Sequence, residues 1–587
     1  MPAGVAALAV LLAACAATPS TNPQEPAAAG QPSKAGAEAA EAALKRGDCR
    51  EASEAYARLA AKGDAATARR ATQVAVACEH LPAAWQSATR WRTLAPDDRE
   101  ANALYAAVAL KLYRTADARG AIADFWRVEG QKNAAPAQTR SPGTAASPPA
   151  APAPAPLAPT KAAARTARSM AELSALLVEE SEASAVLIAM SGVLEPAANS
   201  PETFTLLGEL ALSAYDGERA AGYAHKALGY DPKDLAALRV LARAYVMRGD
   251  GSRALATARL AKSNDPRVGG LALAEVLASL DRSEEAHQEL ERLRGSGTSQ
   301  VEIDRRLALL AFNSGDYKEA RQRFNDLLST GDGNDAIQLY LADIAAREGD
   351  TDTALAGYRR LYDSSVAVTA RSRAAALLLE RNSRVEALAL LDDYAADHPE
   401  DELDITLVKA HLLADNGDGD GGLALLSSAL ERHPQHPSIE YDRAVILEQS
   451  GHVRESVEAL RHILEKRPED PTLLNALGYT MADHSLELTN AEALIRRALT
   501  VMPDNPAALD SLGWVRFRSG DLTSASSTLE RAYSLGHDGE IAAHWGEVLW
   551  ASGRQSEARQ VWAAALARDP ESKPLKATIK RLLPDAK

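Results

Sequence analysis

The sequence predicts an all-α chain of stacked helical hairpins, and three observations carry the prediction. Three segments align almost position for position: "PTLLNALGYTMADHSLELTNAEALIRRALTVMP" from Pro471, "PAALDSLGWVRFRSGDLTSASSTLERAYSL" from Pro506 and "GEIAAHWGEVLWASGRQSEARQVWAAALARDP" from Gly539. Their glycines, Gly478, Gly513 and Gly546, stand 35 and 33 residues apart. Upstream, Ala220, Ala254, Ala286, Ala320, Ala354 and Ala387 recur at intervals of 34, 32, 34, 34 and 33 residues. The chain is also 46% hydrophobic but only 5% aromatic, a mix that suits close-packed helices better than sheets. Small residues at fixed places remove bulk where two helices cross, so that axes approach to about 8–10 Å. One such hairpin cannot bury its apolar face alone, so neighbours must stack.

The elements follow from that pattern. Leu-Gly or Trp-Gly early, Ala midway and Pro at the end, with a period near 34, resembles the tetratricopeptide (TPR) signature. The resemblance implies a right-handed α-solenoid. "LALLAFNSGDYKEARQRFNDLL", from Leu307 to Leu328, is the sharpest single match. Turns recur as Gly249-Asp250, Gly315-Asp316, Gly349-Asp350 and Gly520-Asp521. Gly takes the left-handed position that ends the first helix, and Asp caps the second. Pro232, Pro266, Pro399, Pro434, Pro468, Pro503 and Pro570 close units where a missing N–H costs least. In chain order, residues 34–128 read as a short degenerate module of the same kind and 170–587 as the long array, ending in a solvating helix from Lys573 to Leu583. Between them, residues 129–169 contain "SPGTAASPPAAPAPAPLAPT", which cannot keep a helical ladder and reads as a semi-rigid spacer that lets the modules swing.

The N-terminal region carries its own signals. Leu12-Ala13-Ala14-Cys15, after the apolar run from Val5, resembles a bacterial lipobox. That resemblance implies a signal peptide over 1–14, cleavage before Cys15 and acylation of Cys15, with residues 15–33 as a flexible tether. Residues 1–4 carry no Lys or Arg, where a signal's leading segment is positive, so a basic segment upstream is expected. Ala16 after the cysteine implies the outer membrane, with the chain facing the periplasm. Removing Cys15 leaves Cys49 and Cys78. In an oxidising envelope thiols pair, and both fall near hairpin turns of adjacent repeats, which favours a disulfide over two buried free thiols.

Charge and motif exclude several classes. A formal net charge of −15 argues against nucleic acid, which needs a basic footprint, and against a polybasic membrane patch. Membrane contact is therefore expected through the N-terminal lipid alone. No apolar run reaches the length of a transmembrane helix. "DNGDGDGG", from Asp415 to Gly422, imitates a calcium loop, but Ser427 stands where a bidentate Glu is needed, so it reads as a repeat turn. His433 and His436 lack partners at zinc spacing and read as surface turn histidines. The chain contains no G-x-S-x-G, H-E-x-x-H, P-loop or G-x-G-x-x-G motif. No catalytic residue, metal or cofactor is expected.

The TPR resemblance instead implies a binding groove lined by fixed positions of each first helix. In the clearest units these are Tyr441, Asn475, Tyr479, Asp510, Trp514, Phe517, Arg518, Glu547 and Trp550. Exposed aromatics on such a face act as binding hot spots; the alternative for Trp514 and Trp550 is that they bridge adjacent repeats. Asp510 and Tyr479 stand where a carboxylate clamp needs Lys, Asn and Arg, which excludes that partner class. The runs "LNALGYTMAD", "ALDSLGWVRFRSGDL" and "IAAHWGEVLWASGRQSEARQVW" resemble lipoproteins that act as adaptors for carboxyl-terminal processing proteases. That resemblance implies a non-enzymatic scaffold bringing a periplasmic serine protease to cell-wall hydrolases. An assembly scaffold for an outer-membrane secretin or polysaccharide export machine is the alternative.

Overall fold

The computed structural model describes residues 34–133 and 161–583, apart from 47, 199, 332–333 and 571. The expected signal peptide, Cys15 and the tether lie outside the described residues. Among the described residues there are thirty-one α-helices, one 3-10 turn and no strand. The architecture is a TPR α-solenoid, in which helices pair into hairpins and hairpins stack on their sequence neighbours.

Local chemistry sets each hairpin. Pro201, Pro437, Pro471 and Pro506 occupy the first helical position, where an N–H is dispensable. Turn glycines 249, 315, 349 and 520 have φ between 74° and 90°, the left-handed region that ends the first helix. The following aspartates cap the second helix: Asp250 accepts from Arg253 N, Asp316 from Glu319 N, Asp350 from Thr353 N and Asp521 from Ser524 N. The same chemistry explains the pseudo-calcium loop, where Gly417 has φ 84° and Asp418 accepts from Gly421 N while pairing with Arg384.

Packing follows from small side chains. Ala220, Ala254, Ala286, Ala320, Ala354 and Ala387 are all fully buried. A Cβ on Gly478 would lie 2.5 Å from Ile495 Cγ1, and one on Gly513 2.5 Å from Leu529 Cγ. The core is a succession of clusters along the array. One of them joins Leu474, Leu477 and Ile495 of one repeat to Leu512 and Val515 of the next.

Two compact units divide the chain: one holds residues 81–244 with the helices before residue 77, the other residues 245 onward with the segment 77–80. Residues 134–160 of the expected spacer lie outside the described residues. Helix Thr115–Asn133 runs past residue 128, and helix Lys161–Glu180 begins before residue 170. No proline interrupts either flank: residues 129–133 are EGQKN, and the alanine-rich KAAARTARS of 161–169 favours helix. Helices from both sides then pack together. Ser169 Oγ donates to Glu129 at 2.7 Å, and Lys111 Nζ meets Glu180 at 2.7 Å. Cys49 opens one N-terminal helix, Cys78 follows the next, and both are disulfide-bonded.

A second correction concerns the histidines read as surface turn residues. His433 and His436 are 7% and 6% exposed. His433 Nε2 lies 3.5 Å from Glu402, which Arg432 also contacts. Burial pushes the Glu402 carboxyl up, but hydrogen bonds from His433, Thr406 and Arg432 and the Arg432 charge outweigh it and hold it at about 2.

Candidate functional site: the row of first helices

First helices of successive repeats lie side by side along the array, which places the expected groove residues in one row. Their side chains engage one another. Asp510, on helix Pro506–Arg518, accepts from His544 Nδ1 of the next first helix at 3.0 Å. Trp514 stacks on that same imidazole, with ring centroids 4.1 Å apart, and donates Nε1–H to Asp483 at 2.9 Å. Arg518 reaches back to the Asp483 carbonyl and donates to Ser485 Oγ at 2.6 Å. Tyr479 OH donates to Glu540 at 2.9 Å, two repeats along. Glu547 accepts Arg581 at 2.5 and 2.9 Å, and Trp550 stacks on Trp562 beneath the Arg559 guanidinium. Tyr441 and Phe517 pack half-buried against the neighbouring cluster, and Asn475 Oδ1 is buried without a hydrogen-bond partner.

The nine residues lie on the first helices of successive repeats, and of the two readings for Trp514, an exposed aromatic or a bridge between repeats, its burial favours the bridge. Trp514 is 6% exposed, because His544 covers one face and Phe517 lies 5.1 Å away. It bridges repeats. Tyr479, Phe517, Arg518, Glu547 and Trp550 are partly exposed, and they form the accessible strip.

Sequence reading missed the partners His544, Asp483, Glu540 and Arg581. Their signal is opposite polarity one repeat apart: Asp510 to His544 and Glu547 to Arg581 both span 34 residues. Two more pairs of this kind are His411 with Asp442 at 3.3 Å and Glu448 with His484 at 2.8 Å.

Electrostatics fix protonation. Burial pushes the Tyr479 phenol well above its ordinary value, and Glu540, Asp510 and Asp483 add to this, so the hydroxyl stays a neutral donor. Burial alone would lower His544, but the Asp510 carboxylate outweighs it and the imidazole is held above its ordinary value. A buried charged pair of this kind costs about 3–5 kcal/mol to break by removing one member. Glu448, Asp483 and His484 offer ligand atoms within 4.8 Å of one another. His484 is committed to Glu448, and Asp483 to Trp514 and the Arg518 cation, so the group works as a hydrogen-bonded network between repeats.

Comparison with known proteins agrees with the repeat geometry. Two family profiles, each described as tetratricopeptide repeat, match residues 205–268, 271–336 and 305–366, and residues 413–478. The TPR repeat-containing protein PA4667 of Pseudomonas aeruginosa is 31% identical over 213 residues, covering 36% of each chain. The alignment thus spans about a third of that relative's length. Similar solved structures include the Thermus thermophilus TPR protein TTC0263, at 24% identity and TM-score 0.28, covering 30% of this chain and 97% of that one. Yeast Tom70 aligns at 12% identity and TM-score 0.36, covering 71% and 94%. The Cut9–Hcn1 hetero-tetramer of the APC/C aligns at 16% identity and TM-score 0.29, covering 93% and 95%. Tetratricopeptide repeats thus match residues 205–268, 271–366 and 413–478 of an all-helical solenoid, and TPR arrays are protein–protein interaction scaffolds.

Proposed function

We propose that this chain is a lipid-anchored adaptor of the bacterial envelope that holds a periplasmic carboxyl-terminal processing protease beside its substrates, the cell-wall hydrolases. The observation that carries the reading is the strip formed by Tyr479, Phe517, Arg518, Glu547 and Trp550. Partly exposed aromatic and Arg side chains that are already held by neighbours lose little freedom on binding, which is what an interface hot spot requires. The strip also falls within the segments that resemble the protease adaptors. Chemistry would belong to the bound protease, and the adaptor would act by raising the effective concentration of its substrate.

The test uses purified chain lacking residues 1–15, a processing protease and a cell-wall hydrolase. Added adaptor is expected to accelerate cleavage, and a Trp550→Ala, Arg518→Ala variant is expected to lose most of that acceleration. Unchanged cleavage in the presence of wild-type chain counts against the proposal. Membrane attachment is tested separately. Cys15→Ser is expected to move the protein to the soluble fraction, and retention in membranes would refute the lipid anchor.

A further inference from the structure

Within the unit that begins at residue 245, side chains far apart in sequence meet across a seam. Asp281 sits in the turn between helices Val268–Ser279 and Ser283–Leu293. Its carboxylate accepts Arg568 Nη2 at 2.6 Å and lies 2.9 Å from His537 Nε2, partners 287 and 256 residues further on. The next two hairpin turns repeat the contact. Tyr317 OH and Arg347 Nη1 donate to the Arg568 carbonyl at 3.5 and 3.4 Å, and Arg347 Nη1 lies 3.9 Å from Asp569. A Cβ on Gly315 would stand 3.0 Å from the Ala567 carbonyl oxygen, so backbone approaches backbone there. The loops at the ends of two late hairpins therefore rest on three early turns.

Two features characterise this seam, and the first, a side chain at a left-handed turn position, is shared with turns such as those at Tyr113, Tyr215 and Asn382. The first is conformational. Asp281 and His537 both sit in the left-handed region, at φ 58° and 50°, where turns such as Gly249, Gly315 and Gly349 use glycine. A side chain is kept at a position that favours none, and that side chain makes the contact. The second is composition. The seam is polar and half open: the Asp281, Arg568 and His537 side chains are 51%, 35% and 22% exposed. Hydrophobic clusters around Leu307 and Phe324 on one side and around Trp562 on the other each stay on their own side. Beside the seam, Tyr533 packs its ring against His537, and Tyr533 OH and Trp545 Nε1 are buried with no hydrogen-bond partner. Closure is thus held by solvent-screened ion pairs and leaves two donors unsatisfied.

We infer that Asp281, His537 and Arg568 form a clasp that closes this part of the solenoid on itself and releases reversibly, controlling lateral access of a protein partner to the row of first helices. The clasp stands on the seam geometry, and only its use for access rests on the adaptor reading. Small-angle scattering and amide hydrogen exchange on the full chain test it. Asp281→Gly removes the carboxylate while suiting the left-handed backbone, so it spares folding. It is expected to enlarge the radius of gyration and to speed exchange around Tyr533 and Trp545 about tenfold. Raising salt from about 0.05 M to about 0.5 M is expected to do the same to the wild type. Asp281→Arg is expected to open the seam, and adding Arg568→Asp to close it again. Identical scattering and exchange for wild type and Asp281→Gly at both salt levels would overturn the clasp, whatever the protease assay returns.

Discussion

At Gly546 a Cβ would lie 1.9 Å from Trp562 Nε1, whereas at Gly222, also within a helix, nothing stands within 4 Å. The two glycines therefore answer differently to the same change. Gly546→Ala forces the Trp562 ring or the helix axis to shift and is expected to destabilise the last hairpin by about 1–3 kcal/mol. Gly222→Ala adds only helix propensity and is expected to stabilise its hairpin by up to about 1 kcal/mol. Amide exchange in helices 539–551 and 217–228 reads each hairpin by itself, and effects of equal sign at both sites would contradict the packing account. At this scale the sequence was legible wherever one residue type answers one physical demand. Glycine at a crossing, glycine at positive φ and aspartate at a cap were all readable. The exposure of Trp514 was not, because His544 in the following repeat decides it.

Between elements, the row of first helices is held by pairs that reach from one repeat to the next. His411 is raised above its ordinary value by the hydrogen bond it donates to Asp442, against the opposing effect of burial. His544 is lowered by burial but raised more by Asp510. Both folded-state values therefore lie above the unfolded imidazole value of about 6.5. The stabilisation from these pairs is fully present below that unfolded value and is lost as pH rises through the raised folded value. The gap in thermal stability between wild type and Asp510→Asn is thus expected to be widest at about pH 6 and to narrow toward about pH 9. A gap that widens with pH would contradict the assignment. Aligned repeats do not display these pairs, because a residue's partner lies in a different column of the next repeat. The helix ends facing the proline-rich stretch are less legible for a related reason: composition shows where prolines forbid helix, not how far the proline-free flanks 129–133 and 161–169 continue it.

Across the whole molecule, periodicity made the architecture legible, since a repeat near 34 residues that buries its small side chains admits few folds other than a solenoid. The division between units near residue 245 left no mark in composition, because the same repeat chemistry runs through it. A repeat scaffold acts by what it holds, and holding two proteins together has a distinctive kinetic form. A bridge raises their encounter when scarce and separates them when abundant, because excess scaffold binds each partner on a different molecule. The most direct measurement is the rate of hydrolase cleavage by the processing protease as the purified chain is titrated from far below to far above both partners. The account predicts a rate that rises, peaks near the partner concentrations and falls. A rate that does not respond, or one that climbs to a plateau and stays there, would contradict a bridging scaffold.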